Sequence, residues 1–146
     1  MAEQSGNTTA GKAFSPVVFE RSLRTSTEVG PACIALAGML QRFGYPERAC
    51  FAVHLACEEA LANALRHGNR EDPTKEVRLA CQVGPEMVRI EVEDEGEGFD
   101  PSALPDPTAP ENLDRESGRG VLLMHAYMDH VEFQGRGNRV VLIRKR

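Results

Sequence analysis

The chain has 146 residues and a net charge of −5, with 41% hydrophobic and 27% charged residues. These values suit one globular domain of ordinary size, and they argue against direct contact with nucleic acid, because binding phosphates needs a basic surface. No apolar run approaches the ~20 residues of a membrane-spanning helix. Residues 1–12 contain no signal-peptide core. We therefore expect a cytoplasmic protein that contacts neither nucleic acid nor a membrane.

The chain opens with a segment that has almost nothing to bury. Residues 1–13 are mostly small and polar, which predicts a flexible N-terminal tail ahead of a single folded domain over 14–146. Apolar and polar residues then alternate over 14–24 and indicate a first strand.

Two helices are expected next. The first should cover about 27–43, with capping residues ahead of it and Gly44 at its end. The second should cover about 47–67 and stop at Gly68. Its apolar residues occupy most of the helix circumference, so this helix should be buried on more than one face.

The rest of the chain predicts two hairpins separated by a long irregular stretch and a short helix. Strict alternation over 77–83 and 88–92 indicates the first hairpin. Residues 99–117 contain four prolines and show no periodicity, as in functional loops or disordered segments. A short helix over about 119–128 and a closing hairpin over 131–143 follow.

About five strands and three helices, with most consecutive strands joined by hairpins, point to one fold class. We predict an α+β fold of two layers, in which a mixed, largely antiparallel sheet carries helices on one face.

Glu59 and Asn63 are the first residues that suggest chemistry. They stand four residues apart, so they share one side of the second helix, about 40° apart around its axis. Burying a carboxylate and an amide costs several kcal/mol unless both find partners. Either they serve a function, or they form an ordinary hydrogen-bonded pair on a solvated stripe.

Asp94 is the second such residue, at the end of a strand and followed by alternating glycines. Gly96 and Gly98 allow a sharp turn and a close approach to a ligand. A carboxylate there can accept a hydrogen bond from an exocyclic amine such as that of adenine, although a plain acidic turn would look the same. The sequence contains no P-loop and no dinucleotide fingerprint, and it lacks the Glu that a calcium-binding EF-hand requires.

The third feature is Gly118-Arg119-Gly120 before the apolar run VLLM. Two glycines that open a helix leave free N–H groups at the positive end of its dipole, which is a favourable place for a phosphate. Arg119 adds a positive charge. An ordinary glycine-containing helix start is the alternative.

In this order, the three features resemble the N, G1 and G2 boxes of the GHKL ATPase superfamily, which has the Bergerat ATP-binding fold. Three motif sequences resemble those of the anti-sigma-factor serine kinases of the RsbW and SpoIIAB type. They are EEALANALRHG at 58–68, DEGEGFD at 94–100 and GRGVLLM at 118–124. The resemblance covers about 14–146, nearly the whole chain.

The resemblance implies roles for the polar residues. Glu59 would be the catalytic general base that acts on the hydroxyl of an acceptor serine. Asn63 would bind the Mg²⁺ that bridges the phosphates of ATP. Asp94 would bind the adenine amino group. A carboxylate beside a metal-held phosphate is a useful place for a base, so the chemistry agrees.

The resemblance also assigns the motif glycines to ATP binding. Gly96 and Gly98 would shape the adenine side of the site. Gly118, Arg119 and Gly120 would hold the phosphates.

The implied protein is a homodimeric ATP-dependent serine kinase that uses Mg²⁺, with residues 101–117 as a lid. It would phosphorylate a small anti-anti-sigma protein of the STAS type and sequester a sigma factor. The alternative is a module that holds ATP and switches partners without phosphotransfer. A histidine-kinase catalytic domain fits less well, because the chain lacks room for a dimerisation helix pair with a phospho-accepting histidine.

Overall fold

A computed structural model describes residues 16–98 and 116–146, and side chains from residue 119 onward in the second range. The predicted tail over 1–13 and most of the predicted lid over 101–117 lie outside these ranges. The described residues form three α-helices and five strands. These are β1 (Val17–Leu23), α1 (Val29–Arg42), α2 (Glu47–Asn63), β2 (Val77–Val83), β3 (Met87–Glu93), α3 (Glu116–Tyr127), β4 (His130–Gln134) and β5 (Arg139–Lys145).

The strands form one sheet in the order β1-β2-β3-β5-β4. This arrangement confirms the predicted α+β fold. Every neighbouring pair of described strands is antiparallel, so the prediction of a mixed sheet was wrong. The reason is the position of β5: β3 and β4 run in the same direction on either side of α3 in the sequence, but β5 lies between them. Two tight hairpins therefore supply the centre and one edge of the sheet.

One face of the sheet carries the core. Inward-facing residues of β2 and β3 alternate with half-buried or exposed ones, as the sequence pattern predicts. The central helix α2 packs against both α1 and α3, and it is buried along much of its circumference, as predicted. Phe51 is the exception, since it is 58% exposed and its ring meets Tyr127 edge-on, with ring centroids 6.0 Å apart.

Local hydrogen bonds define where the helical region begins and how α2 ends. At the start of the helical region, the main-chain N–H groups of Arg24 and Thr25 both donate to the Glu28 carboxylate, at 2.8 and 3.0 Å. Helix α2 is followed by a π-helical turn over Ala64–Gly68, where the Asn69 N–H donates to the Ala64 carbonyl at 2.8 Å. Such wide turns are rare and often occur at functional sites.

Candidate functional site

A cleft of about 780 Å³, counted with the open solvent at its mouth, lies between the end of α2, the start of α3 and the β4–β5 hairpin. Its walls are largely apolar, and the polar residues that line it are Asn63, His67, Asp94, Asn138 and Arg139. The apolar wall residues are Ala60, Val92, Val121, Met124, Phe133 and Val140. A mostly apolar cleft with a few convergent polar groups is the usual form of a small-molecule site.

One end of the cleft is formed where α2 meets α3. Glu59 and Asn63 are both half-buried and approach the backbone of Gly120. A methyl group placed on Gly120 would lie 2.9 Å from Nδ2 of Asn63 and 3.0 Å from Oε1 of Glu59. The structure therefore brings together the first and third features of the sequence, with the side-chain ends of two residues of α2 against a glycine of α3.

Helix α3 begins at Glu116, three residues earlier than predicted. Gly118, Arg119 and Gly120 therefore lie within its first turns rather than ahead of it, which corrects the predicted start at residue 119. Glycine is a poor helix former, so its presence suggested a boundary. The packing of α3 on α2 outweighs that local preference. Arg119 has an exposed side chain.

Asp94 forms the other end of the cleft, directly after β3. Its Oδ1 accepts a hydrogen bond from the Gly96 N–H at 2.7 Å, and its own N–H donates to the Asn138 carbonyl at 2.9 Å. Burial raises the pKa of the Asp94 carboxyl, while the bond from Gly96 and the charge of Arg136 act against that rise. The carboxylate is thus held by its neighbours and only partly shielded from the cleft.

The glycines around Asp94 leave no room for a side chain. A methyl group on Gly68 would collide with the Asp94 carboxylate, and one on Gly96 would collide with the Gly68 carbonyl. Gly98 has a φ of +85° and abuts the carbonyl of Arg136. Gly96 and Gly98 thus both approach other parts of the protein closely, and Gly98 also lines the cleft.

The β4–β5 turn belongs to the same site, which the sequence pattern did not indicate. The Arg136 Nε donates to the Gly96 carbonyl at 3.0 Å, and the Asn138 Nδ2 donates to the Asp94 carbonyl at 3.0 Å. Gly137 and Asn138 also line the cleft. The run GRGN reads as an ordinary hairpin turn, and only its density of glycines could have suggested a second role.

Of the predicted site residues, Asn63, Asp94 and Gly98 line one cleft. Glu59 and Gly120 meet beside Asn63, and Gly96 lies beside Asp94. Within 16–98 and 116–146, no three His, Cys, Asp or Glu side chains are placed to hold a metal ion together. None of the helices found in those ranges is both long and apolar enough to cross a bilayer.

Comparisons with known proteins agree with this geometry. Residues 24–144 match the family described as the histidine kinase-like ATPase domain. The serine-protein kinase RsbW of Bacillus subtilis is 31% identical over 123 residues, which are 80% of this chain and 77% of that protein. The same-named proteins of Oceanobacillus iheyensis and Bacillus licheniformis are 26% and 32% identical, over 123 and 112 residues. These alignments span 80% and 73% of this chain and 78% and 70% of the two relatives.

Proposed function

The chain belongs to the histidine kinase-like ATPase family, and on that premise we propose that it is an ATP-dependent protein serine kinase with an anti-sigma regulatory role. One observation carries the proposal: the side chains of Glu59 and Asn63 converge at Gly120, beside the cleft that Asp94 also faces. Residues suited to act as a base, a metal ligand and a purine-binding carboxylate thus lie in or beside one cleft. The relatives named serine-protein kinase support the same chemistry.

The residues present fit ATP. The apolar walls suit a flat aromatic base, and the partly buried Asp94 carboxylate can accept a hydrogen bond from the adenine amino group. Gly118 and Arg119 lie in the first turn of α3 and Gly120 follows, so the N–H groups that open this helix suit anionic phosphates.

The residues at the other end fit Mg²⁺. The Asn63 amide oxygen is a neutral oxygen ligand, and Mg²⁺ commonly takes few protein ligands because it keeps waters and phosphate oxygens. When bound, Mg²⁺ would neutralise charge on the phosphates.

Glu59 stands one helical turn before Asn63, and we assign it the role of general base. Its carboxylate would take the proton from the hydroxyl of an acceptor serine as that oxygen forms its bond to the γ-phosphorus of ATP, while the bond from that phosphorus to the bridging oxygen breaks and ADP leaves. Phosphoryl transfer depends mainly on positioning and charge, so the contribution of Glu59 would be alignment and removal of one proton. Its placement beside Gly120 holds the carboxylate at the start of α3.

The acceptor serine we propose is on a small anti-anti-sigma protein of the STAS type. The kinase would act in the cytoplasm as a homodimer and sequester a sigma factor when that antagonist is phosphorylated. The relatives named RsbW support a partner-switching role of this kind. The negative total charge of the chain also suits protein partners better than nucleic acid.

The test is the intact mass of a candidate STAS protein from the same organism after incubation with this chain and Mg·ATP. We expect the gain of one phosphate, and a loss of about 100- to 10,000-fold in rate for Glu59→Gln, which is the usual contribution of a general base. ATP binding by Glu59→Gln should stay near the wild-type value. Glu58→Gln is the matched control, because Glu58 is a half-buried neighbour on the same helix.

Two outcomes would contradict the proposal in different ways. Phosphorylation by Glu59→Gln at the wild-type rate would show that Glu59 is not the base. No phosphate on any STAS protein tried, with ATP binding confirmed in the same sample, would favour a module that holds ATP and switches partners without phosphotransfer.

A further inference from the structure

Asn69 is the one polar side chain that is fully buried in the part of the chain described, at 1% exposure. It follows the π turn that ends α2, and it takes no part in the chemistry proposed above. A buried amide must satisfy both its donor and its acceptor groups, so its partners show what it holds. They lie on two different segments of the chain.

The Asn69 side chain closes a ring of hydrogen bonds. Its Oδ1 accepts from the Glu95 N–H at 2.8 Å, and its Nδ2 donates to the Glu76 carbonyl at 3.0 Å. The Glu76 N–H in turn donates to the Glu95 carboxylate at 2.6 Å. The end of α2, the approach to β2 and the turn after β3 are thereby tied to one another.

This ring adjoins Asp94 at two points along the chain. Glu95, whose N–H the ring fixes, is the residue after Asp94. Gly68, the residue before Asn69, lies against the Asp94 carboxylate so closely that even a methyl group would collide. The position of Asp94 relative to α2 therefore depends on the position of Asn69 relative to Glu95.

We propose that Asn69, acting through Glu95, is a positioning residue that aims the Asp94 carboxylate at the 6-amino group of adenine. It would set purine selectivity without touching the nucleotide. This inference rests on the proposed role of Asp94 in binding adenine. It goes further by assigning selectivity to the buried amide of Asn69 and to Glu95, the residue that follows Asp94.

A selectivity ratio can separate positioning from plain structural support. Inosine triphosphate has nearly the shape of ATP but carries an oxygen where ATP carries the 6-amino group, so it offers Asp94 no donor at that position. A variant that is merely destabilised should lose affinity for both nucleotides equally. A variant that misplaces Asp94 should bind ATP more weakly and leave the affinity for inosine triphosphate nearly unchanged.

The experiment measures the Kd of ATP and of inosine triphosphate, with Mg²⁺ and the full chain, for wild type, Asn69→Ala and Glu95→Ala. We expect the preference for ATP to fall about 10-fold in Asn69→Ala, the effect of removing one or two hydrogen bonds. Glu95 is exposed, so Glu95→Ala should keep the fold and lower the preference about 3- to 5-fold. Thermal melting reports whether each variant is folded.

Asp72→Ala is the matched control. Asp72 lies in the same connection and bonds only Thr74 through its side chain, at 2.7 and 2.9 Å, so its loss leaves the ring intact. Its ATP preference should equal that of wild type. In an Asp94→Asn background, Asn69→Ala should cause no further loss of preference, because the group it positions is already changed.

The two proposals fail in distinguishable ways. If wild type binds both nucleotides equally, or if Asp94→Asn keeps the wild-type preference, the proposed adenine-binding role of Asp94 is wrong. If wild type prefers ATP and Asp94→Asn loses that preference, but Glu95→Ala and any folded Asn69→Ala retain it, only the positioning role is wrong.

Discussion

At the Asp94 end of the cleft, hydrogen bonds from Gly96 and from the β4–β5 turn hold Asp94 and its main chain, whereas at the Glu59 end two side chains meet the backbone of a glycine from another helix. Two of the three glycines at the Asp94 end abut main-chain carbonyls, Gly96 that of Gly68 and Gly98 that of Arg136, while Gly68 abuts the Asp94 carboxylate. At Gly120, the three atoms outside its own helix segment that lie nearest to an added methyl group are all side-chain atoms, of Asn63 and Glu59.

This difference separates what holds the fold from what performs the chemistry. Main-chain atoms cannot move aside without disturbing the elements that carry them, so crowding at the Asp94 end should affect stability. Side-chain ends can rotate away, so crowding at the Glu59 end should leave the fold intact and displace the functional groups themselves. Equal additions of one methyl group at the two ends should therefore have unlike results.

Gly98→Ala should have the largest effect on stability. Its φ of +85° is unfavourable for alanine, and the new methyl group would collide with the Arg136 carbonyl. We expect unfolding free energy to fall by about 3 kcal/mol, from backbone strain together with overpacking. Chemical denaturation at neutral pH measures it. A loss below about 0.5 kcal/mol, the level of an ordinary surface change, would show that the turn gives way easily and would remove the contrast.

Gly120→Ala should affect activity instead. The methyl group would lie 2.9 Å from Asn63 and 3.0 Å from Glu59, so both side chains must shift. We expect phosphotransfer to fall about 100-fold or more, as when a positioned catalytic group is displaced by about an ångström. The melting temperature should stay near that of wild type, because alanine also favours the helix.

Gly38→Ala provides the control for that variant. Gly38 is also helical, in α1, and no atom lies within 4 Å of the position of its added methyl group. It should gain about 0.5–1 kcal/mol of stability and keep full activity. Full activity in Gly120→Ala would show that the contact between α2 and α3 does not align the reacting groups.

Much of this contrast could be predicted from local sequence, and part could not. Glu59 and Asn63 belong to a single helix and stand four residues apart, so helix geometry alone predicts that they share one side of it. The alternation in β2 and β3 likewise predicts one hairpin with one buried face. Pairing of β3 with β5 rather than β4 depends on contacts between distant segments, which periodicity does not encode.

The supporting residues were the hardest to predict. Asn69 reads as a helix stop, yet its side chain bonds residues 7 and 26 positions away. Asn138 reads as a turn residue, yet it bonds Asp94 at a separation of 44. Such partners are chosen by the three-dimensional packing, and no local propensity distinguishes them from other asparagines in turns.

Asp94→Asn tests the Asp94 end of the cleft without adding bulk. Loss of a charged hydrogen-bond acceptor should lower the affinity for ATP about 10- to 100-fold. In the ligand-free protein, by contrast, the substitution should increase stability at neutral pH. Burial raises the pKa of this carboxyl above its ordinary value of 3.8, so the folded state disfavours the ionised form.

The sign of the pH dependence follows from that shift. Below pH 3.8 the carboxyl is neutral in the folded and unfolded chain, and it carries no penalty; as pH rises through the folded pKa, stability is lost. Asp94→Asn should therefore melt at a higher temperature than wild type at pH 7, and the gap should narrow as the pH falls toward 4. A variant that melts lower than wild type at pH 7 would mean that the bonds from Gly96 and the charge of Arg136 outweigh burial. The Asp94 end would then be stabilised by the carboxylate that it positions.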